Sequence, residues 1–397
     1  MPLLGDHRTC LGLSSATSER RLMKFTIDRD VLAEAVGWTA RSLPARPTSP
    51  VLSGLLITAE NGEVAIAGFD HEISARQVVE ADIEQDGTCL VPGKMLADIC
   101  RSLPSAPVEF AASDSKVFIS CRSAKFQLAA MPLVDYPELP ELPEVSGTVD
   151  GTEFARAVSQ VLVAASKDET LPILTGIRLE VQGDTMTLLA TDRYRLAMRE
   201  LTWSPTNPEI SAQVLIKSKT LAEVGRTLAG SGELSIALPD AHELIGFEAA
   251  SRRTTSVLMD GDYPNIRALF PEETQIHAVI RTSDLAEAAR RISLVAERNT
   301  PLRLAFSETG EVVIDAGRGD EAQGSETLQA HLSGQEVTVA YNPAYLSEGL
   351  GAFTTEFVRF SFTEPTRPAV LSGQDEILGD DSTEYRYLLM PVRLPAD

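Results

Sequence analysis

One pattern occurs three times along the chain, at a period of about 125 residues. Each copy is a strand that runs into a helix, and the copies begin at Leu90, Leu215 and Val339, which lie 125 and 124 residues apart. Periods of roughly 20 to 50 residues indicate solenoids, whereas this period has the length of a whole domain. The sequence therefore predicts one domain used three times.

Two further elements repeat at the same period. A helix, a proline-containing turn and a strand occupy residues 31–57, 154–179 and 285–306, and an apolar strand end closes each copy at 130–132, 257–259 and 388–391. We predict domains at 23–147, 148–273 and 274–397. Residues 1–22 have no apolar periodicity and are expected either to be a disordered extension or to precede the true start at Met23.

The pattern within each repeat predicts two amphipathic helices over antiparallel sheets, an α+β fold. Apolar residues recur at helical spacing, as in the stretch from Phe154 to Ala165. Thr152 and Ser283 are predicted to cap two of the helices. Asn61-Gly62 stands between two strand patterns and predicts a tight hairpin, with counterparts at Gly183-Asp184 and Thr309-Gly310.

The bulk composition limits the class of protein. No run of 18 apolar residues is present, so we expect no membrane span. The four cysteines lack metal-binding or redox spacing and predict buried thiols in a reducing, cytosolic compartment; they are Cys10, Cys89, Cys100 and Cys121.

The charge distribution bears on nucleic-acid binding. A formal net charge of −22 argues against such binding, because phosphate neutralisation supplies most of the affinity. The predicted helices nevertheless carry 13 basic and 9 acidic residues, an excess of +4, while the rest of the chain carries −26. Their predicted bounds are 29–46, 93–103, 153–167, 217–229, 283–298 and 341–352. This segregation favours a basic helical face on an acidic body, although chance could produce so small an excess.

Catalytic and cofactor motifs are absent from the sequence. Gly93-Lys94 lacks the first glycine and the final Ser or Thr of a phosphate-binding loop, and the five histidines never pair at metal-ligand spacing. Acidic pieces such as 379–381 are typical of solvated loops in so acidic a chain. We therefore expect no enzyme, no metal and no cofactor.

Several segments resemble one known family, the bacterial sliding clamps or beta subunits of DNA polymerase III, and most of all those of high-GC Gram-positive bacteria. These segments are Met23–Ile27, Arg46–Gly54, Leu171–Gly176, Thr191–Leu196 and Tyr387–Leu394. The resemblance implies a head-to-tail homodimer, a ring of six similar domains whose helices surround duplex DNA. It also implies that the replicative polymerase, the clamp loader and repair proteins bind a pocket through short linear motifs.

The resemblance implies three sets of site residues. The residues that match DNA-facing positions are Arg46, Lys94, Arg101, Lys217, Lys219, Arg226 and Arg291. Those that match the peptide pocket are Leu174, Thr191, Arg195, Leu196, Pro264, Leu269, Leu388, Met390, Pro391 and Arg393. For the dimer contact we predict Ile99, Leu103 and Phe126 of one chain against Leu294 and Val295 of the other.

Two alternatives stay open. The chain could be a divergent second clamp copy whose altered pocket tolerates a clamp-directed inhibitor. From a different class, it could be a peptide-binding scaffold that never encircles DNA.

Overall fold

The computed structural model describes residues 23–228, 232–239, 243–296, 300–317 and 323–393. The predicted extension at 1–22, with Cys10, lies outside the described residues. The described chain divides into two compact units. Unit 1 runs to Asp70 and from Ala75 to Glu138, and unit 2 comprises His71–Ser74 and the chain from Leu139 onward.

Six α-helices occur in the described part of the chain, two in each predicted repeat. They are α1 Arg29–Thr39, α2 Gly93–Ser102, α3 Gly151–Leu162, α4 Ser218–Leu228, α5 Thr282–Ile292 and α6 Pro343–Leu350. Within each repeat the two helices pack on each other, α1 on α2, α3 on α4 and α5 on α6. The prediction of a repeated helix pair is confirmed.

Unit 1 contains two runs of antiparallel strands. The strands are β1 Met23–Ile27, β2 Gly54–Glu60, β3 Glu63–Phe69, β4 Ile73–Glu80, β5 Asp82–Gln85, β6 Gly87–Pro92, β7 Val108–Ala112, β8 Lys116–Cys121 and β9 Ala124–Ala129. Five of them lie in the order β5-β1-β7-β8-β9, and four in the order β4-β3-β2-β6, of which β4 belongs to unit 1 from Ala75 onward. β9 is the last strand of its sheet.

Unit 2 repeats this plan twice. Its strands are β10 Gly147–Asp150, β11 Gly176–Gln182, β12 Thr185–Thr191, β13 Arg195–Thr202, β14 Ser204–Pro205, β15 Ser211–Lys217, β16 Glu233–Ala237, β17 Leu244–Ala249, β18 Arg252–Val257, β19 Ile276–Arg281, β20 Leu302–Ser307, β21 Glu311–Ala316, β22 Gly324–Gln329, β23 His331–Ser333, β24 Val337–Tyr341, β25 Phe357–Phe362, β26 Ala369–Gln374 and β27 Asp381–Leu389. The orders are β14-β10-β16-β17-β18, then β15-β11-β12-β13-β27-β26-β25-β19-β23, and β22-β21-β20-β24.

The nine-stranded sheet of unit 2 joins the second repeat to the third. Strand β13 ends the four-stranded part of the second repeat, and it pairs antiparallel with β27, which ends the five-stranded part of the third. Leu196 faces Leu388 across this joint. A single apolar core continues through both repeats, so the two form one compact body.

Helix burial follows the predicted spacing, but two predicted caps are wrong. Phe154, Val158 and Val161 of α3 are buried, one turn or so apart. The cap of this helix is Asp150, whose carboxylate accepts the Glu153 N–H at 2.9 Å, rather than Thr152. Helix α5 likewise begins before Ser283, at Thr282. In both places a strand runs directly into the helix, so the helix starts earlier than the side-chain pattern predicts.

The Asn61-Gly62 hairpin is confirmed. Both residues lie in the left-handed region, at φ 54° and 82°, and β2 pairs with β3 on either side of them. Two-residue hairpins favour this conformation because its twist matches that of the strands, and glycine adopts it without strain. Gly183 and Gly310 also have positive φ at the corresponding turns.

The predicted basic excess of the helices is not supported. Every helix whose ends are both described is shorter than predicted, and within the observed bounds the six helices hold 8 basic and 8 acidic residues. The cations that gave the excess, Arg41, Arg46, Lys167 and Lys217, lie outside the α-helices. The helices have no net positive charge, so any attraction to DNA must come from individual basic side chains.

The cysteines of the described chain are buried and unpaired, as predicted. Cys89, Cys100 and Cys121 all lie in unit 1 and form no disulfide. Burial raises the pKa of Cys89 and of Cys100 to about 12. The thiols of Cys89 and Cys100 are therefore protonated near neutral pH.

Candidate nucleic-acid and peptide interfaces

Helices α2 and α4 present the same charges at the same positions. Lys94 and Lys219 occupy the second residue of each helix, and Arg101 and Arg226 lie in the last turn. Arg101 forms an ion pair with Asp98 at 3.0 Å, three residues earlier. Arg226 forms the equivalent ion pair with Glu223. All four predicted cations are exposed to solvent.

The remaining predicted DNA-facing residues differ in their partners. Lys219 lies 3.5 Å from Glu169, and Lys217, at the end of β15, pairs with Glu72 of the same unit at 2.5 Å. Arg291 is held on both sides, by the Glu287 and Glu326 carboxylates. Arg46 lies in the exposed loop between α1 and β2. Neither Arg46 nor Lys94 makes an ion pair with the part of the chain that the structure describes.

The predicted peptide pocket is built on an apolar cluster at the joint between β13 and β27. Leu196 and Leu388 are buried there as cross-strand neighbours. Ile266, from the segment that connects the second and third repeats, packs on them. The cluster is completed by Leu189 and Met198, with Tyr263, Phe270 and Val370 partly buried at its margin. Leu196 and Leu388 thus form a floor rather than an exposed wall.

Exposed predicted residues belong to the segments that flank this floor. Leu269 and Met390 are 59% and 41% exposed, and Pro264 and Arg393 are also exposed. The Met390 N–H donates to the Tyr194 carbonyl at 3.0 Å, which fixes the start of the terminal segment against the β12–β13 turn. An apolar floor with exposed apolar side chains on its flanking segments suits a short peptide with apolar anchors.

Thr191 and Leu174 are largely buried supports. The Thr191 hydroxyl donates to the Arg195 carbonyl at 2.7 Å and accepts the Arg193 N–H at 3.1 Å, which closes the β12–β13 turn. Leu174 is 9% exposed in the short 3₁₀ helix before β11. Pro391, which follows Met390, is half-buried.

Arg195 is the centre of a buried ionic network. Only 4% of its side chain is exposed. Its guanidinium contacts the Asp192 carboxylate at 2.9 Å and the Glu348 carboxylate of α6 at 2.5 Å. It also lies 4.3 Å from the centre of the Tyr345 ring. Burial opposes the charge, but Tyr387, Glu348 and Asp192 raise the pKa of Arg195 above its ordinary value.

A cavity of about 390 Å³ adjoins this network. It is lined by the loop that follows α3, by the β12–β13 turn and by α6. The lining includes Lys167, Tyr194, Tyr345 and Glu348. Tyr194 is 53% exposed, and its ring stacks on that of Tyr345 with the two ring centres 6.1 Å apart. Tyr194 lies within the Thr191–Leu196 segment, but it is not among the pocket residues that the resemblance implies. The resemblance does not assign Glu348 to the pocket either.

The predicted dimer residues fall into two groups. Phe126 of β9 and Leu294, just after α5, are 36% and 83% exposed. Val295 and Ile99 are partly buried, and a Cβ at Gly324 in β22 would meet Val295 at 2.8 Å. The prediction for Leu103 is wrong. This side chain is 3% exposed in the core of unit 1 and therefore offers no surface to a partner.

Within the described ranges no helix has the length and apolar composition that crossing a membrane requires. The same residues contain no group of three or more His, Cys, Asp or Glu side chains in an arrangement that could hold a metal ion.

Comparison with known proteins gives one family along nearly the whole chain. Profiles of the DNA polymerase III beta subunit match in order, the N-terminal domain at residues 23–140, the central domain at 148–265 and the C-terminal domain at 267–393.

Individual relatives agree with these matches. The beta sliding clamp of Streptomyces coelicolor is 49% identical over 375 residues, covering 94% of this chain and all of that protein. That of Micrococcus luteus is 57% identical over 310 residues, covering 78% of this chain and all of that protein. The crystal structure of the Pseudomonas aeruginosa DnaN sliding clamp bound to griselimycin has a TM-score of 0.86 at 27% identity, covering 94% of this chain and all of that one.

Proposed function

The chain belongs to the bacterial beta sliding clamps, the beta subunits of DNA polymerase III, and from this membership we propose that two copies close around duplex DNA and tether the replicative polymerase. Domain limits at 23–147, 148–273 and 274–397 remain part of this proposal. The observation that carries it is the threefold repeat, in which each copy supplies one helix pair, one run of five antiparallel strands and one run of four.

Ring closure is supported by two of the strands that lie at sheet ends, β9 and β22. Within unit 2, the last strand of one repeat's five-stranded part pairs with the last strand of the preceding repeat's four-stranded part. By repeat position, β9 corresponds to β27, and β22 corresponds to β13. Both β9 and β22 stand at sheet ends among the described strands. Pairing of β9 with β22 of a second copy would reuse the β13–β27 geometry head to tail.

Predicted interface residues lie beside these two edges. Phe126 belongs to β9, and Leu294 follows the helix whose Arg291 is paired with Glu326 of β22. In this proposal Phe126 and Leu294 bury their apolar surface across the new joint, with Ile99 and Val295 at its margin. A Leu294→Asp change places a charge at that contact. We expect a monomer at micromolar concentration in sedimentation velocity, whereas the unchanged chain sediments as a dimer.

DNA contact rests on exposed cations that neutralise phosphates without reading bases. Such contacts hold the protein near the duplex but set no sequence register, so an enclosing ring can slide. Arg46, Lys94, Arg101, Lys219 and Arg226 are the main candidates. Lys217 and Arg291 are weaker ones, because Lys217 is only partly exposed and Arg291 is held by two carboxylates.

The floor formed by Leu196, Leu388 and Ile266 is the proposed anchor site for partner peptides. Polymerase, clamp loader and repair proteins would each insert apolar side chains of a short motif there. The pocket would include the predicted residues and also Tyr194 and Tyr345. We propose a cytoplasmic protein with no catalytic activity of its own.

The decisive experiment is a loading assay on nicked circular DNA, followed by linearisation of the circle. We expect the loaded protein to remain on the circle through gel filtration and to leave once the DNA has free ends. Triple charge reversal at Arg46, Lys219 and Arg226 should reduce retention, while sedimentation still shows a dimer.

Retention that survives linearisation, or retention unchanged by the triple charge reversal, would contradict this mechanism. Binding of partner peptides without retention on circles would instead favour the peptide-binding scaffold. The second-copy alternative makes a different forecast: weakened binding of griselimycin, the ligand in the Pseudomonas aeruginosa structure, relative to the Micrococcus luteus clamp.

A further inference from the structure

Two of the three repeats carry one charge motif at the same place in the fold. Lys94, Asp98 and Arg101 in α2 recur 125 residues later as Lys219, Glu223 and Arg226 in α4. The third repeat lacks the motif, since the corresponding positions of α6 are Pro343, Ser347 and Leu350. The carboxylate is therefore kept in both helices that carry the cations.

The geometry of this motif brings the carboxylate against the arginine. Asp98 and Arg101 are 74% and 72% exposed in their ion pair, and Glu223 and Arg226 are 39% and 58% exposed in theirs. Exposed pairs at this helical spacing add little to stability and exchange readily with other partners. Their location at repeat-equivalent sites suggests a role other than holding the fold.

We propose that Asp98 and Glu223 act as internal competitors for DNA phosphate, which keeps each arginine contact with the duplex weak. The inference rests on the proposed function and names residues that would tune it. A phosphate that reaches Arg101 or Arg226 must displace a carboxylate, and that carboxylate then repels the phosphate. Fewer counterions are released per contact, so the ring holds DNA less tightly and moves along it more freely.

The expected size follows from counterion release. Binding constants fall with salt concentration to the power of about 0.9 for each neutralised phosphate, so one freed cation gains at most about eightfold at 0.1 M salt. Because the arginines already reach DNA part of the time, we expect about a two- to eightfold gain per neutralised carboxylate.

The test compares two double variants with the same change in net charge. Asp98→Asn with Glu223→Gln removes the competitors, and Glu109→Gln with Glu311→Gln removes one exposed strand carboxylate from each unit. The full-length protein is titrated with a short fluorescent duplex by anisotropy, over a series of KCl concentrations. We expect tighter binding and a steeper salt dependence for the first variant only. Equal binding by the two variants would overturn the proposal.

A second arm asks whether the gain passes through the arginines. Arg101→Gln with Arg226→Gln should weaken binding only slightly in the unchanged chain, but should abolish the gain when combined with the carboxylate changes. If the gain in DNA affinity persists without these arginines, it comes from the change in net charge alone. That result would refute competition between carboxylate and phosphate. The duplex titration needs no loading step, so failure of the circular-DNA assay would refute the proposed function without deciding this result.

Discussion

Helices α4 and α6 occupy the same position in consecutive repeats, yet their surroundings differ in kind. Helix α4 carries its two cations, Lys219 and Arg226, at the surface, where they pair with the exposed Glu169 and the partly exposed Glu223. Helix α6 has one charged residue, Glu348, and its carboxylate is bound to the buried Arg195 of the preceding repeat. The same helix position thus forms a charged surface in the second repeat, where it is α4. In the third repeat, where it is α6, it supports the proposed pocket.

The largest expected effect comes from breaking the fixed pair. Arg195→Met leaves Asp192 without its partner in a mostly buried site, and loss of one member of a buried pair costs several kcal/mol. Because Glu348 keeps 39% exposure, we expect a loss of about 3 kcal/mol in the free energy of unfolding. Urea denaturation followed by circular dichroism measures it.

Partner-peptide binding should weaken with the same change, because Arg195 orients the β12–β13 turn beneath the pocket. If Arg195→Met lowers the free energy of unfolding by less than about 1 kcal/mol, the pair is no stronger than an exposed ion pair. The ion pairs of α4 and α6 would then not differ in their contribution to stability.

The next effect is steric and uses two equivalent glycines. A Cβ at Gly349 of α6 would lie 2.3 Å from the Tyr387 ring, whereas one at Gly225 of α4 would meet Ala155 at an ordinary 3.5 Å. Gly349→Ala should therefore destabilise by about 1 to 3 kcal/mol through overpacking. Gly225→Ala should be neutral or stabilise by up to about 1 kcal/mol through helix propensity.

The melting temperatures of the Gly349→Ala and Gly225→Ala variants test this difference directly. Equal melting temperatures would show that α6 can shift away from Tyr387, and that its position is less constrained than that of a pocket support.

The smallest effect is expected on α4. Arg226→Met removes an exposed pair, so the free energy of unfolding should change by less than about 1 kcal/mol. The same urea experiment as for Arg195→Met provides the matched measurement. A large loss would mean that the Glu223 pair is structural, and would count against its proposed competition with phosphate.

The extent to which sequence predicted the structure varies with the range of the interactions. Local signals were sufficient for the Asn61-Gly62 hairpin and for the buried stripe of α3, because turn chemistry and helical spacing act within a few residues. The helix ends and the cap at Asp150 were missed because they depend on strands that feed the helices without a loop.

The site shows the same limit. Thr191, Arg195 and Leu196 lie in one motif, and family resemblance identified them together. The ion pair between Arg195 and Glu348 joins residues 153 positions apart, and nothing in the local sequence of either indicates it. Leu103 failed as an interface residue because an apolar helix position gives no sign of whether it faces its own core or a partner.

The buried thiols of unit 1 have a practical consequence. Burial keeps Cys89 and Cys100 protonated near neutral pH and also encloses Cys121, so maleimide reagents, which need an accessible thiolate, should react slowly with all three. A single cysteine introduced at an exposed position could then be coupled to a fluorophore with little competition from these three native sites. Movement along DNA would be observable on individual molecules without first removing them.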